Sequence, residues 1–209
     1  MADKNRLQFL GSVVKARGRA ILKKYITSPI ALIQLRGQKD LKLHLGCGNQ
    51  HLEGYVNVDI SPATSADIVV SAERLPFLNG CASEIFTSHM IEHIPRESLN
   101  TTIIEWHRLL APNGRLVIRC PNFELYVHEW LKGNYDWRWG WGLRPIFGFE
   151  GRGKGMWHLN GFTVDRLDRL MSENGFRTIK CETTETRPFT NGTFEYRSNG
   201  DILYIGEKV

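Results

Sequence analysis

Past residue 40, short apolar runs alternate with segments whose apolar residues recur at helical spacing. The apolar runs predict strands near 42–46, 56–60, 67–70, 84–88, 114–119, 177–183 and 201–207, and the helical spacing predicts helices near 98–110, 122–132 and 163–174. Short apolar strands that alternate with helices form a mostly parallel sheet with helices on both faces. No helix is predicted between the last two strands, so we expect them to pair antiparallel at an edge. The sequence therefore predicts an α/β fold with a mostly parallel sheet and an antiparallel edge strand.

The charge of the chain is divided unevenly between an N-terminal arm, residues 1–40, and the domain that follows it, residues 41–209. The net charge is +5, yet the arm holds nine Lys or Arg residues against two acids, and the domain holds 18 against 20. An enzyme that acts on nucleic acid concentrates basic residues around its catalytic face. This distribution therefore argues against nucleic acid as a partner.

The arm has the sequence features of a basic helical segment. Ser28 is placed to cap a helix, Pro29 suits the first helical position, and Gly37 can end it. One interpretation is a solvated helix that packs on the domain. The other is a helix that lies on an anionic membrane surface or docks a partner protein.

Cysteine usage and hydropathy predict where the protein resides. The cysteines form no C-x-x-C pair, which is typical of reduced thiols in a cytosol. No apolar run approaches the roughly 20 residues of a membrane span, and the N-terminus lacks the apolar core of a signal peptide. We expect a cytoplasmic protein, held at the inner face of the membrane if the arm binds there. The four cysteines are Cys47, Cys81, Cys120 and Cys181.

A glycine-rich turn separates the first two predicted strands in "LHLGCGNQHLEGYVNVDI", residues 43–60. Gly46 and Gly48 offer bare backbone at the carboxyl end of a strand, where ligands bind in such sheets. The dinucleotide fingerprint G-x-G-x-x-G requires a third glycine where His51 stands, and seven residues leave room for a helix of at most about 10 Å before the next strand. Asp59 ends that strand and can accept hydrogen bonds from ribose hydroxyls. A ligand with ribose but no phosphate, such as S-adenosylmethionine, fits this loop best.

Five motifs follow one another in order along residues 41–183: "LHLGCGN", "NVDI", "SAERLPF", "SHMIEHI" and "EWHRLLAPNGRLVIRCPN". Together they resemble the successive motifs of class I S-adenosylmethionine-dependent methyltransferases. The resemblance is greatest to the small bacterial type-11-like group, whose members often accompany genes for cell-surface polysaccharides. It implies a Rossmann-like methyltransferase fold, S-adenosyl-L-methionine as the cofactor, and a role in polysaccharide biosynthesis.

The same resemblance implies a set of cofactor-binding residues after the first four strands. The loop from Gly46 to Gly48 would lie under the methionine part and the ribose, and Asp59 would bind the ribose hydroxyls. Ser71 stands where the family commonly has an acid that holds the adenine amino group, and backbone contacts from Ala72 would have to replace it. The full expected set is Leu45, Gly46, Cys47, Gly48, Asp59, Ile60, Ser71, Ala72, Glu73, Leu75, Ser88 and His89.

Two histidines are candidates for a catalytic base. Methyl transfer is an in-line displacement that depends on alignment, and a hydroxyl acceptor also benefits from a group that takes its proton. His158 lies in "GMWHLNGF", and His89 follows the fourth predicted strand beside the cofactor. For each, the alternative is a structural histidine with a satisfied hydrogen bond.

A tryptophan-rich stretch at about 121–162 has the length of a lid-like insertion and holds five of the six tryptophans. Indole faces suit the C–H faces of a sugar, and arginine suits a phosphate or carboxylate. We therefore expect the acceptor to be a hydroxyl on a sugar, a nucleotide-sugar or a lipid-linked glycan; the alternative is that the tryptophans form a small core of their own. The predicted substrate-binding residues are Trp137, Trp139, Trp141, Arg144 and Trp157.

The sequence is also compatible with other functions. "HMIEH" matches the inverted zinc-protease pattern, with His89 and His93 as ligands and Glu92 as base, and so indicates a zinc hydrolase. However, Pro95 ends the segment almost at once, so we expect no bound metal. The further alternatives are a methyltransferase for nucleic acid or for another small molecule, and a non-catalytic methyltransferase-like module.

Overall fold

A computed structural model describes residues 15–16, 18–133, 143–148, 156–184 and 200–209. Seven strands form one sheet within these residues, together with five helices, two short turns of helix, and further helical residues at 15–16 and 18–22. The strands are β1 (Leu41–Leu45), β2 (Val56–Asp59), β3 (Ile68–Val69), β4 (Ala82–Ser88), β5 (Leu110–Pro121), β6 (Phe176–Thr183) and β7 (Asp201–Lys208). The helices are α1 (Ser28–Leu35), α2 (Arg96–Leu109), α3 (Phe123–Leu131), α4 (Arg144–Phe147) and α5 (Val164–Glu173), with a π-helical turn at Lys23–Thr27 and a 3-10 turn at Ile91–His93.

The strand order is β3-β2-β1-β4-β5-β7-β6, and the first five strands in this order pair parallel. β7 runs antiparallel to both of its neighbours, β5 and β6. The predicted α/β fold is confirmed, including the antiparallel pairing of the last two strands. Because β7 enters the sheet beside Pro121, its first residue, Asp201, lies at the edge where the parallel strands end.

The core lies between the sheet and one face of α2. The buried side chains of α2 recur three or four residues apart, which is the spacing of one helix face. Trp106 is fully buried there, and its indole N–H donates to the carbonyl of Ala72, 2.9 Å away. That bond ties the segment after β3 to the helix, and so helps to fix the edge of the sheet on which the site is built. The α2 side chains concerned are Leu99, Thr102, Ile103, Trp106 and Leu109.

The described part of the arm packs against the β3 side of the sheet. The prediction that Ser28 caps the helix is wrong, because a π-helical turn precedes α1 and leaves Ser28 in helical conformation. The Ser28 hydroxyl instead accepts a hydrogen bond from the backbone N–H of Val69 at 2.8 Å, and Lys23 donates to the carbonyl of Thr64 at 2.7 Å. On its outer side α1 leaves Ile33 exposed. Residues 1–14 and 17 of the predicted arm lie outside the described residues.

Among the described helices, none has the length and apolar character needed to cross a membrane.

Candidate active site

The glycine loop after β1 turns its backbone toward the end of β2. The backbone N–H groups of Gly46 and Cys47 both donate to the carbonyl of Val58, at 2.9 and 3.1 Å. Gly46 and Gly48 have φ of 69° and 54°, a conformation that side chains disfavour. A Cβ on Gly46 would collide with the side chain of Met90, whereas a Cβ on Gly48 would meet no atom within 4 Å. The backbone at Gly48 therefore faces space that a ligand can fill.

Asp59 ends β2 directly beside this loop. One of its carboxylate oxygens accepts from the backbone N–H of Gly48 at 2.9 Å, and the other accepts from that of Ser61 at 2.8 Å. Each oxygen of a carboxylate has a second lone pair, so hydroxyl donors can still be bound. The neighbouring Ile60 is 72% exposed and offers an apolar surface beside the carboxylate. The ribose-binding role of Asp59 stays a prediction that this geometry fits.

Three of the side chains predicted to bind cofactor are buried in the protein. Leu45, Cys47 and Leu75 are 0%, 4% and 3% exposed. Burial and the nearby Asp59 raise the pKa of the Cys47 thiol to about 12, so it is neutral. The Leu75 side chain belongs to the core, which leaves it no surface to flank an adenine ring. We therefore withdraw Leu75 from the site and limit Leu45 and Cys47 to backbone contacts.

The residues after β3 lie partly in the open. The hydroxyl of Ser71 accepts from the backbone N–H of Glu73 at 3.2 Å, so it caps its own turn. The Ala72 carbonyl is occupied by the Trp106 indole described above. A polar contact from Ala72 to a ligand would use its N–H group or the second lone pair of this carbonyl.

His89 follows Ser88 at the end of β4, in a left-handed conformation with φ of 51°. Its backbone N–H donates to the carbonyl of Arg119 at 2.9 Å, which holds the turn against β5. Its ring Nε2 lies 2.9 Å from a carboxylate oxygen of Asp201, which is fully buried. A carboxylate accepts, so this nitrogen carries the proton and Nδ1 is the basic end of the ring.

Glu92 lies in the 3-10 turn that follows and is 1% exposed. Neither of its carboxylate oxygens has a hydrogen-bond partner among the residues that the structure describes. Its nearest ring nitrogens are Nδ1 of His89 at 3.6 Å and Nε2 of His158 at 3.9 Å. Burial raises the pKa of Glu92 to about 7, because removal from water disfavours the charged form.

His93 and His158 complete the group, and their rings pack edge to face with centroids 4.9 Å apart. Nδ1 of His93 lies 2.9 Å from the carbonyl of Trp157, and Nδ1 of His158 lies 3.0 Å from that of Pro145. A carbonyl can only accept, so both Nδ1 atoms carry protons and donate. Burial lowers the pKa of both imidazoles, and that of His158 falls to about 4, so both rings are neutral near pH 7.

The predicted acceptor-binding residues fall into two groups. Trp137, Trp139 and Trp141 lie outside the described residues. Arg144 begins α4 and is half-buried. Trp157 is 47% exposed and lies beside His93 through its carbonyl, so its indole is available next to the cluster of histidines.

Asp201 and the grouping of Glu92 with His158 were not predicted from the sequence. Asp201 precedes the apolar run "ILYIG", and an acid at the start of a buried strand is a weak signal that could have drawn attention to it. Its partner His89 is 112 residues away along the chain. Only the position of β7 beside β5 brings the two together.

Comparison with known proteins finds a family model that matches part of the chain. Residues 43–118 match the Methyltransf_11 family model, described as a methyltransferase domain. The matched stretch contains the glycine loop, Asp59 and the segment from His89 to His93. No curated protein matches the sequence.

Solved structures of similar fold include three that cover most of this chain. One is the protein in complex with the methyltransferase activator Trm112 of Haloferax volcanii, with a TM-score of 0.55 and 14% identity over 93% of both chains. Another is the 1,6-didemethyltoxoflavin-N1-methyltransferase of Burkholderia thailandensis, solved with S-adenosylhomocysteine, with a TM-score of 0.51 and 15% identity over 100% of this chain and 88% of that one. A third is a SAM-dependent methyltransferase of Thermotoga maritima, with a TM-score of 0.56 and 15% identity over 94% and 96%. At these identities the neighbours show the fold alone, and the Rossmann-like methyltransferase fold is confirmed.

Proposed function

We propose that this chain is a class I S-adenosylmethionine-dependent methyltransferase, as the match of residues 43–118 to a methyltransferase domain suggests, and that it methylates a hydroxyl group of a sugar, a nucleotide-sugar or a lipid-linked glycan. The observation that carries the hydroxyl acceptor is the His89–Asp201 pair at the end of β4. A hydroxyl must lose a proton as it is methylated, and this pair offers an oriented base beside the predicted methyl-transfer position.

The cofactor, S-adenosylmethionine, fits the residues after β1 and β2. The open space at Gly48 exposes the backbone to a ligand. The carboxylate of Asp59 can accept hydrogen bonds from the ribose hydroxyls, and the exposed side chain of Ile60 offers an apolar surface beside it. When bound, the cofactor supplies a methyl group on a sulfonium, which is already a good leaving group. The protein therefore has to align the acceptor and receive its proton.

His89 is better placed than His158 to receive that proton. Asp201 fixes the orientation and tautomer of the His89 ring, as the carboxylate does in other carboxylate–histidine pairs. The His89 side chain is 21% exposed, so an acceptor can reach it. His158 has its Nδ1 on the Pro145 carbonyl, and burial lowers its pKa to about 4, which makes it a weak base at neutral pH.

The choice of a sugar acceptor depends on the aromatic surface. Trp157 is 47% exposed, and its backbone carbonyl contacts His93, so its indole is proposed to form part of an acceptor surface near the histidine cluster. Trp137, Trp139 and Trp141 are proposed to extend this surface, on the composition of their segment alone. Arg144 supplies a positive charge nearby that suits the phosphate of a nucleotide-sugar or of a lipid carrier.

A lipid-linked acceptor would also give the arm a role. Its described part is anchored to the domain through Ser28 and Lys23, while Ile30 and Ile33 on α1 are at least half exposed. Apolar residues beside a surplus of Lys and Arg suit a helix that binds an anionic membrane surface. The arm is proposed to hold the enzyme at the inner face of the membrane, near such a substrate.

The second candidate is a small-molecule acceptor of another kind. The Burkholderia thailandensis neighbour, which binds 1,6-didemethyltoxoflavin, has a similar fold over the whole of this chain, and this likeness favours the second candidate.

A labelling experiment tests the proposal. The purified protein would be incubated with methyl-deuterated S-adenosylmethionine and a cell-surface glycan fraction, and the glycans would be analysed by mass spectrometry. We expect a mass increase of one labelled methyl group on a sugar, absent with the His89→Ala variant. Label that enters only low-molecular-weight compounds without sugar would favour the second candidate, and cofactor binding without any transfer would favour a non-catalytic module.

A further inference from the structure

We propose that Glu92, His93 and His158 form a binding site for one divalent transition-metal ion, such as zinc, manganese or cobalt. The three side chains bring one ligand atom each within 4.8 Å of one another. Glu92 and His93 come from the 3-10 turn after β4, and His158 comes from the segment that returns across it. A single cation can bridge the three after small side-chain movements, because each ligand atom bonds such an ion at about 2.0–2.2 Å.

Both imidazoles are held in the tautomer that a metal requires. The carbonyls of Trp157 and Pro145 each accept the Nδ1 proton of one ring, which leaves Nε2 unprotonated on both. Histidine ligands almost always donate their other N–H group to a carbonyl or carboxylate, which fixes the ring and raises its basicity. The two backbone carbonyls act here as that outer layer of a metal site.

The carboxylate of Glu92 provides an independent observation. It is 1% exposed, and its two oxygens lack any hydrogen-bond partner in the described part of the chain. A buried carboxylate without partners is strongly unfavourable, and proteins ordinarily pair it or use it to bind a metal. Asp201, the other buried acid nearby, is already paired with His89. Glu92 is thus the acid in this cluster whose chemistry is unexplained without a cation.

The set of donor atoms selects the class of metal. Two imidazoles and one carboxylate suit zinc, iron, cobalt, manganese or nickel, whereas magnesium and calcium prefer sites made of oxygen atoms alone. Three protein ligands also leave at least one coordination position for water or for an oxygen of a substrate. A role of the metal in binding the acceptor oxygen rests on the proposed function, but the existence of the site does not.

The inference reverses what the sequence pattern suggested. The H-x-x-E-H pattern pairs His89 with His93 as zinc ligands, and we expected no metal because Pro95 ends that segment almost at once. The structure turns His89 toward Asp201 and supplies His158 in its place, from a segment 65 residues further along the chain. The metal site therefore consists of one consecutive acid–histidine pair and one distant histidine.

Metal titration of the full chain tests the inference without any substrate. After treatment with a chelator, the protein would be titrated separately with Zn²⁺, Mn²⁺, Co²⁺ and Mg²⁺, with bound metal measured by elemental analysis and Co²⁺ also by its visible absorption. We expect about one transition-metal ion per chain and much weaker binding of Mg²⁺. At a metal concentration about 100 times the dissociation constant, the melting temperature should rise by about 5–10 °C.

Variants locate the ion. Loss of a residue that only orients a metal ligand weakens metal binding by about 10–100-fold. His93→Ala and His158→Ala each remove a ligand, so each should weaken metal binding by more than this. His128→Ala, which changes an exposed histidine of α3, should bind as the unchanged protein does. Circular dichroism and calorimetry of S-adenosylmethionine binding would show that each variant is folded.

The outcomes separate this inference from the proposed function. An unchanged protein that binds S-adenosylmethionine but no transition metal overturns the metal site and leaves the methyltransferase intact. Metal binding that His93→Ala and His158→Ala leave unchanged overturns it as well, because the ion then lies elsewhere. Metal binding that these two variants abolish supports the site, even if the glycan fraction is never labelled.

Discussion

Glu92 lies just before α2 and Glu105 lies within it, and the two carboxylates have opposite surroundings. Both oxygens of Glu105 accept hydrogen bonds from Arg108 at 2.7 Å, and one also accepts from the backbone N–H of Leu75 at 2.9 Å. The hydrogen bonds from Arg108 outweigh burial and lower the pKa of Glu105. Glu92 has no such partner in the described residues, and its pKa is raised to about 7. Glu105 therefore stabilises the fold through its partners, whereas Glu92 is the acid to which the proposed metal ion would supply a partner.

The satisfied acid belongs to a network that shapes the connection after β3. Arg108 also donates to the carbonyls of Leu75 and Phe77, at 3.2 and 3.0 Å, and to the side chain of Asn79 at 2.7 Å. These bonds fasten the connection to α2 and place Leu75 in the core. The Glu105 network is therefore structural, and it explains why Leu75 is not available to a cofactor.

The largest expected effect is on turnover, and it should come from the His89–Asp201 pair next to Glu92. His89→Ala should lower turnover by about 10²–10⁴-fold while the affinity for S-adenosylmethionine changes little, because the acceptor proton then lacks a positioned base. Steady-state kinetics with methyl-labelled S-adenosylmethionine and the glycan fraction would measure turnover, and calorimetry would measure cofactor affinity, with His128→Ala as the control. Turnover within a factor of three of the unchanged enzyme would remove His89 from catalysis.

The next largest effect is on stability, and it should come from removing the hydrogen bonds that Glu105 accepts. Glu105→Gln should destabilise the protein by about 1.5–3 kcal/mol, the range for hydrogen bonds to a charged group. Because the folded pKa of Glu105 is lowered, its stabilisation is present above the unfolded pKa and is lost as the pH falls through the folded value. The difference between the two proteins in chemical denaturation should thus shrink below about pH 4. Glu173→Gln, at an exposed position of α5, is the control.

Asp59 is intermediate between the two acids, because its oxygens accept from backbone N–H groups yet keep free lone pairs. Asp59→Ala should weaken S-adenosylmethionine binding by about 1.5–3 kcal/mol. Calorimetry at one temperature would measure this loss, with melting curves as a check on folding. Saturable binding of NAD in place of S-adenosylmethionine would contradict the assignment of the loop.

The smallest expected effect is that of Glu92→Gln on stability, and it tests the comparison of Glu92 with Glu105 most directly. Glu92→Gln, measured with a chelator present, should leave stability unchanged or raise it by up to about 1 kcal/mol, since it removes an unpaired buried charge at constant size. The same substitution at Glu105 is destabilising, so the denaturation midpoint should fall for Glu105→Gln and should stay the same or rise for Glu92→Gln. If Glu92→Gln destabilises the metal-free protein as much as Glu105→Gln does, then Glu92 is structural and has partners in solution.

The fold could be predicted from local pattern because each strand and helix carries its own periodicity. The glycine loop could be predicted for the same reason, because Gly46, Gly48 and Asp59 are near neighbours in sequence and belong to one strand–turn–strand pattern. The cluster of Glu92, His93 and His158 could not be predicted in this way, because its members meet only when residues 156–160 pack against the turn that follows β4. Ser28 failed as a predicted cap because its hydroxyl found a better partner on β3, which no local rule anticipates.

The placement of β7 between β5 and β6 has a consequence for folding. Among the strands of the described sheet β6 pairs only with β7, so β6 can join the sheet only when residues 201–208 have docked. That same docking delivers Asp201 to His89 across 112 residues of chain. Contacts so distant in sequence form late, because the loop between them must close first. Activity should accordingly return in the last phase of refolding, and transient opening of this one edge would switch the enzyme off while most of its sheet stays intact.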